Sequence, residues 1–279
     1  MIIAKDIITV NNFLQKHKNL QIGFVPTMGF LHDGHLSLIK KSQQENDLTA
    51  VSIFVNPIQF NQKKDFQNYP TNLSQDLELL TDCKTDLVFL PSEKLIYPNN
   101  FNSKILVSGI SEPLEGGARP GHFDGVTTIV AKFFNIIQPD KAYFGEKDAQ
   151  QLLVIKKMVN DLNYKTIIVK CPTIREKDGL AMSSRNSRLN QKQRNEATVL
   201  HKSLTLAKNL IKDGETDPKK IIVGMNNILA TDKLNKLDYI SINKEEDLSE
   251  VSKIEGNLII SLAVFFGDIR LIDNIWISI

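Results

Sequence analysis

Two histidines three residues apart, His32 and His35, sit in a run that also holds Gly29 and Gly34. The run follows an apolar stretch at 22–25 and precedes an amphipathic one at 36–44. That order predicts strand, glycine-bearing turn and helix, with both imidazoles at the helix entrance. Such a turn aims unpaired backbone N–H groups and the positive end of the helix dipole at whatever lies above it, and phosphate is the natural occupant. The histidines add donors able to carry positive charge, and the glycines let a ligand approach the backbone. No Gly-Lys-Ser/Thr occurs in the chain, so this is not a Walker A loop. A His-x-x-His pair also fits a metal site or two incidental surface residues. Zinc sites usually need three or four ligands, and the only thiols, Cys83 and Cys171, are distant in sequence.

Other polar groups recur at strand ends and in loops. Gln59 follows a strand pattern and a turn at Pro57; Lys147 and Gln151 follow another. Their spacing of four predicts one shared helix face. Arg119 and His122 lie in a glycine-rich loop, where they either hold an anionic substrate or brace the loop by hydrogen bonds. Met182, Ser183, Ser184 and Arg185 form a polar cluster whose hydroxyls and guanidinium fork match phosphate oxygens. Asp76 is a candidate metal contact, with surface solvation as the competing expectation.

The elements that must position these groups follow from periodicity. Apolar runs at 22–25, 50–55, 87–90, 142–144 and 167–169 alternate with amphipathic stretches at 36–44, 73–80, 126–137 and 148–159. Alternation of this kind indicates an α/β domain, a Rossmann-like parallel sheet with helices on both faces. Ligands of such sheets bind at the carboxyl ends of the strands, where three of the motifs fall. Beyond residue 171 the pattern changes. Residues 172–188 read as a polar linker, Asn190 as the N-cap of one long helix reaching Lys212, and Asp217-Pro218 as another helix start. Runs at 238–242, 258–266 and 269–277 read as strands, the last two joined by a Gly267-Asp268 hairpin. The expected division is therefore 1–173, a nucleotide- and substrate-binding domain, and 174–279, a smaller C-terminal α+β lid domain with an antiparallel sheet.

Composition narrows the setting. The 279 residues are 42% hydrophobic and 24% charged, ordinary globular values, with a net charge of +2. That balance argues against a nucleic-acid-coating surface. No run approaches the ~18 apolar residues of a membrane span, and the first ten residues lack the apolar core of a signal peptide. Two cysteines make no disulfide framework, so a reducing cytoplasm is expected.

Five strings, taken together and in order, resemble one family. They are residues 24–35 with the HxGH pattern, 52–60, 115–123, 144–151 and 182–186. With Phe89-Leu-Pro-Ser92 and Tyr97-Pro98 the set resembles pantothenate synthetases (pantoate–β-alanine ligases), members of the HxGH-type nucleotidyltransferases. The resemblance implies adenylation of the pantoate carboxylate by ATP, with release of pyrophosphate, then attack by the β-alanine amine and release of AMP. It implies ATP contacts from Met28, Gly29, Phe30, Leu31, His32, Asp33, Gly34 and His35, from Gly145, Glu146, Lys147 and Asp148, and from Ile174, Met182, Ser183, Ser184 and Arg185. His35, His32, Lys147 and Arg185 would carry the chemistry. His35 corresponds to the family's general acid; charge stabilisation is the first role expected, because pyrophosphate needs little protonation to leave. Gln151 corresponds to a pantoate ligand and Gln59 to a glutamine between pantoate and β-alanine. Neutral amides suit a hydroxy acid, offering donors and acceptors without blunting the nucleophilic carboxylate. Mg2+ would accompany ATP, and a homodimer is expected from the family alone. The chain departs from the family pattern at Thr71, Asp124, Ala149 and the Gly116-Gly117 pair. Residues 175–188 are expected to be mobile without nucleotide and to order over it as a lid. The competing enzyme reading is a nucleotidyltransferase of the same superfamily acting on another small carboxylate or phosphate. A non-enzymatic nucleotide- or RNA-binding module would show a degraded phosphate site and a basic stripe.

Overall fold

The computed structural model describes residues 1–230 and 235–279. The chain divides into two compact units, Met1–Gly145 with Gln150–Pro172, and Glu146–Ala149 with Thr173–Ile279.

The first unit is built on six parallel strands: β1 (Ile2–Ala4), β2 (Ile22–Thr27), β3 (Leu48–Ile53), β4 (Leu87–Phe89), β5 (Lys141–Gly145) and β6 (Ile167–Cys171). Their order is β1-β4-β3-β2-β5-β6. Successive residues of a strand face opposite sides, and the core follows that rule. Val25, Val51 and Val88 pack with Leu38 and Ile39 of helix Asp33–Glu45 and Leu80 of helix Leu73–Asp82. Their neighbours Phe24 and Phe89 instead meet Phe133 of helix His122–Ile137 edge-on, at ring separations of 5.9 and 6.1 Å. Both sheet faces are therefore covered, as the near-continuous apolar strands require. The helix His122–Ile137 is buried on almost every side, consistent with its unbroken apolar character. From β2 the chain proceeds outward through β3 on one side, while β5 pairs on the other. The strand order thus reverses between β2 and β5, and ligands of open α/β sheets bind outside the carboxyl ends at such a point.

β1 and helix Ile7–Lys16 are not among the elements expected from periodicity, although the helix buries Val10 and Phe13 on one face. The strand has three residues and lies at the sheet edge. The helix is started by Asp6, whose carboxylate accepts the Thr9 N–H at 2.8 Å.

The second unit holds an antiparallel sheet of β7 (Asn235–Lys244), β8 (Asn257–Phe266) and β9 (Ile269–Ser278). β8 and β9 pair from Phe266–Ile269 onward, and Gly267 takes the positive φ of 60° that a two-residue turn demands. Leu258, Ile260, Leu262 and Val264 of β8 form the core with Leu200 and Leu204 of helix Val199–Lys212 and Ile221 and Met225 of helix Pro218–Leu229. Asn190 does cap a helix, in a reciprocal box with Gln193, but that helix ends at Glu196. The expected single helix is broken at Ala197 and Thr198, where the Thr198 hydroxyl donates back to the Asn195 carbonyl at 2.9 Å. Among the described residues no helix is long and apolar enough to cross a membrane.

Candidate active site

The HxGH turn leaves β2 at Thr27 and enters helix Asp33–Glu45 at Asp33. His32 is the N-cap. Its Nδ1 accepts the Gly34 N–H at 3.1 Å, and the Nδ1 of His35 accepts the His32 N–H at 3.3 Å. The ring centroids lie 4.1 Å apart with the planes tilted by 42°. The pair is thus a capping box made from two imidazoles. Acceptance at both Nδ1 atoms places the proton of each ring on Nε2. In this arrangement Nε2 is the position from which each ring can donate outward.

The expectation of unpaired backbone donors is corrected. Gly29 N–H donates to Thr27 Oγ1 at 3.2 Å, and the Phe30 and Leu31 N–H groups donate to the Asp76 carboxylate at 2.8 and 2.7 Å. His35 and Leu36 N–H both donate to the His32 carbonyl. These N–H groups of the turn already have acceptors, two of them supplied by Asp76 from another helix. Asp76 is not solvated at the surface, as one expectation held, but 2% exposed. Each of its oxygens accepts a backbone N–H, which suits a metal contact poorly. No group of three His, Cys, Asp or Glu able to hold an ion occurs among the described residues.

Gln59 ends a short 3-10 turn, Pro57–Gln59, beyond β3. It is 8% exposed, and its orientation is set on all sides. Tyr97 Oη donates to Asn56 Oδ1 at 2.7 Å; Asn56 Nδ2 donates to Gln59 Oε1 at 2.9 Å and to the Gly125 carbonyl at 3.1 Å. The relay spends the Gln59 oxygen and turns its amide nitrogen outward, where it approaches Met28 Sδ at 3.1 Å. Burial pushes the Tyr97 hydroxyl well above the usual phenol range, so it stays a donor at any working pH. Arg119 and His122 brace this loop: His122 Nδ1 donates to the Gln59 carbonyl at 2.8 Å, and Arg119 reaches the same oxygen at 3.4 Å and His122 Nε2 at 3.3 Å. Gly125 permits the packing, because a Cβ there would lie 2.7 Å from the Gln59 backbone. Gly116 is likewise constrained, since its Cβ would meet the Ser111 carbonyl oxygen at 1.7 Å, whereas Gly117 has room.

Lys147 and Gln151 do not share a helix face. Glu146–Asp148 form a 3-10 turn and the α-helix spans Ala149–Asp161, so only Gln151 is on it. Gln151 is partly exposed. Its neighbour Gln150 is buried and committed to structure: its amide oxygen accepts the Glu115 N–H at 3.0 Å, and its nitrogen donates to the Pro113 and Ile110 carbonyls at 2.7 and 3.0 Å.

In the second unit, the turn carrying Lys147 is held from β9. Asn274 Nδ2 donates to the Lys147 carbonyl at 2.7 Å and Trp276 Nε1 to the Glu146 carbonyl at 3.4 Å. The Lys147 ammonium lies 3.6 Å from Asp148. The expected linker, 172–188, carries local structure. Arg175 and Ala181 form a β-bridge, Met182 N–H donates to the Ile174 carbonyl at 3.0 Å, and Leu180 and Ala181 are buried. Arg175 makes a bidentate pair with Asp273 at 2.6 and 3.0 Å. Ser184–Arg188 close as a 3-10 turn in which Ser183 Oγ accepts the Arg185 N–H at 3.3 Å.

Asn56, Tyr97, Asp273 and Asn274, and the hydrogen bonds of Asp76 to the turn, are not singled out on sequence grounds. The polar pair Asp273-Asn274 inside an apolar strand is a usable signal, since buried polar groups in strands require partners.

The chain matches the family model described as pantoate-beta-alanine ligase over residues 2–276. It is 50% identical over 264 residues to a pantothenate synthetase of Caldicellulosiruptor saccharolyticus, covering 95% of this chain and 94% of that protein. A crystal structure of pantothenate synthetase from Thermus thermophilus matches with a TM-score of 0.95 at 38% identity, over 99% of both chains. That of a pantoate-beta-alanine ligase from Francisella tularensis, complexed with beta-gamma ATP and beta-alanine, matches with a TM-score of 0.81 at 39% identity, over 99% of this chain and 97% of that one. With its HxGH turn, oriented glutamine and six-stranded parallel sheet, this chain belongs to the pantoate–β-alanine ligase family.

Proposed function

We propose that this ligase joins pantoate to β-alanine at the expense of ATP through a pantoyl adenylate. The observation that carries the reading is the contact of Gln59 Nε2 with Met28 Sδ at 3.1 Å. It sets the amide assigned to the acid substrate against the turn assigned to phosphate, as attack of a carboxylate on the α-phosphorus requires.

In the first step a pantoate carboxylate oxygen bonds to the α-phosphorus, and the bond to the bridging oxygen breaks to release pyrophosphate. Negative charge grows on the α-phosphate and the leaving group. The Nε2–H donors of His35 and His32 are suited to it because their tautomers are already set, so no reorganisation is needed as charge develops. Lys147 and Arg185 would add charge, with Ser183, Ser184 and the backbone of Gly145 to Asp148 and Ile174 to Met182 binding the rest of ATP. Gln59 and Gln151 hold the hydroxy acid without a cation on its nucleophilic oxygen. In the second step the free amine of β-alanine bonds to the acyl carbon, the bond to the AMP oxygen breaks, and the amine loses its extra proton to solvent. Mg2+ would travel with ATP, held by phosphate oxygens. The residues at Asp76 do not fit a dedicated metal cage, and no step is routed through the ion.

An ATP-supplied, reducing cytoplasm suits the reading, with Cys83 and Cys171 as thiols. A homodimer is carried forward on the family resemblance, and light scattering would check it. The test of the reaction is product analysis. Pyrophosphate release should require pantoate and ATP but not β-alanine, whereas AMP release should require all three. Formation of ADP and phosphate would sink the mechanism.

A further inference from the structure

Asp76 sits in the first turn of helix Leu73–Asp82, away from the histidines in sequence but beneath their turn in space. Its two oxygens take the N–H groups of Phe30 and Leu31, the two residues immediately before the His32 N-cap. The backbone they hold is unusual. Gly29 has φ 81° and Phe30 φ 51°, two consecutive residues in the left-handed region. Glycine adopts that conformation freely, but phenylalanine does not, and a bulky residue there persists only where its surroundings over-determine it. The carboxylate supplies that determination with two charge-assisted hydrogen bonds. Gly29 is fitted to the same group: a Cβ there would lie 2.9 Å from Asp76 Oδ2.

We propose that Asp76 is a positioning residue for adenylation. It pins the left-handed kink at 29–31, which sets where His32 begins the helix and hence where both imidazole Nε2 atoms point. The same carboxylate occupies the backbone donors that a phosphate would otherwise approach, leaving the anion to the imidazoles. Asp76 touches no substrate and acts through the turn. The claim deepens the reading above, resting on His32 and His35 as the phosphate donors.

Asp76→Asn tests it with the shape preserved. The amide offers one oxygen and one NH2, so one backbone N–H must face another donor and the kink must shift. Nitrogen-15 spectra of ring-labelled histidines in the nucleotide-free enzyme give a readout independent of activity. The wild type should show His32 and His35 with Nε2 protonated and Nδ1 bare; the variant should show mixed tautomers. The kcat of pyrophosphate release should fall about 10- to 100-fold with KM for pantoate nearly unchanged. The thermal midpoint should also fall, because a buried N–H loses its acceptor, and adding Phe30→Gly, which removes the left-handed penalty, should restore part of the rate. Should the variant fail to fold, the wild-type spectrum decides: Phe30 and Leu31 amide protons must be shifted downfield and slow to exchange, and rapid exchange overturns the proposal. It is also overturned if Asp76→Asn keeps both tautomers, or if excess Mg2+ restores the lost rate, which would make Asp76 a metal contact. A changed tautomer pattern with unchanged adenylation would overturn the positioning role in adenylation and, with it, the assignment of the histidines to phosphate, whereas unchanged tautomers with slowed adenylation would overturn the positioning role alone.

Discussion

The phosphate turn of the first unit and the Lys147 turn of the second are held by opposite means. His32 and His35 are fixed within one helix turn, His35 Nδ1 accepting the His32 N–H and His32 Nδ1 the Gly34 N–H. Lys147 is fixed through its carbonyl by Asn274, 127 residues away, and the neighbouring Arg175 segment by Asp273, 98 residues away. The first device sets donors in place by local capping. The second anchors the backbone near a charged group and leaves the long side chain its reach. If the proposed roles hold, the difference separates two jobs: a donor to a developing charge needs its direction set beforehand, whereas an ammonium or guanidinium that follows a polyphosphate needs an anchored base.

The largest effect should come from breaking the long-range device. The Asp273 side chain is fully buried, and Arg175 pairs with it in a fork. Asp273→Ala leaves that guanidinium uncompensated, which typically costs about 3–5 kcal/mol for a buried pair. Trp276, the one tryptophan, lies on the same strand and would report the loss as a lower denaturation midpoint. Hydrogen exchange would resolve the segment itself. Residues 175–188 should be protected without nucleotide in the wild type and lose that protection in the variant. Fast exchange in the nucleotide-free wild type would restore the picture of a lid that orders only on ligand.

Breaking the local device should affect rate more than stability. His35→Ala removes one preset donor to the phosphates, a loss worth about 3–4 kcal/mol in the barrier for comparable donors. Single-turnover pyrophosphate release should slow by roughly 10²- to 10³-fold. A normal rate would show that the capping histidines are structural and that the contrast between the units has no catalytic meaning.

These two devices were unequally legible in the sequence. A cap spans three residues, so the HxGH turn announces its strand, turn and helix within a dozen positions. The parallel sheet was legible for a related reason, each central strand being a continuous apolar run, whereas three-residue β1 fell below any period. Contacts such as Asp76 to Phe30, 46 residues apart, leave no local trace. Asp76 at the start of an amphipathic helix reads as an ordinary solvated acid until the fold buries it. The local structure of 172–188 is hidden in the same way. Its composition is polar, but Leu180, Ala181 and a bidentate arginine suffice to fold it once β9 is beside it. The early break in the 190–212 helix was hidden because both halves keep a helical pattern across Ala197 and Thr198.

The Gln59 relay lies between the two extremes and sharpens the comparison. Asn56 is local, three residues away, but Tyr97 comes from 41 residues further on. Tyr97→Phe leaves Asn56 Oδ1 without its donor, and an orphaned buried acceptor costs about 1–3 kcal/mol. Part should appear as a raised KM for pantoate, because Asn56 is then free to flip and present the wrong edge to Gln59. ATP binding should be nearly unchanged. Calorimetry showing equal loss for ATP and pantoate would place the relay with general stability.

The smallest expected effect concerns a third histidine and separates the units by pH. His32 and His35 use Nδ1 as a paired acceptor, whereas His201 Nδ1 is buried with no hydrogen-bond partner among the described residues. Its ring lies on Gly179, where an added Cβ would come within 2.2 Å. Burial lowers the His201 pKa below its ordinary value, the positive charge of Arg175 lowers it further, and Asp273 opposes both. A folded-state pKa below the unfolded one means that the unfolded chain binds the extra proton first. The contribution of neutral His201 is therefore complete above about pH 6.5 and is lost as pH falls toward the lowered value. The Trp276-reported midpoint should decline more steeply between pH 7.5 and 5.5 in the wild type than in His201→Gln, which cannot take up the proton. Because the ring is only partly buried, the difference should be modest and smaller than the other three effects. Parallel profiles would mean that the Asp273 charge holds the imidazolium as comfortably as burial disfavours it, and the acid sensitivity of this unit would have to be sought in its carboxylates.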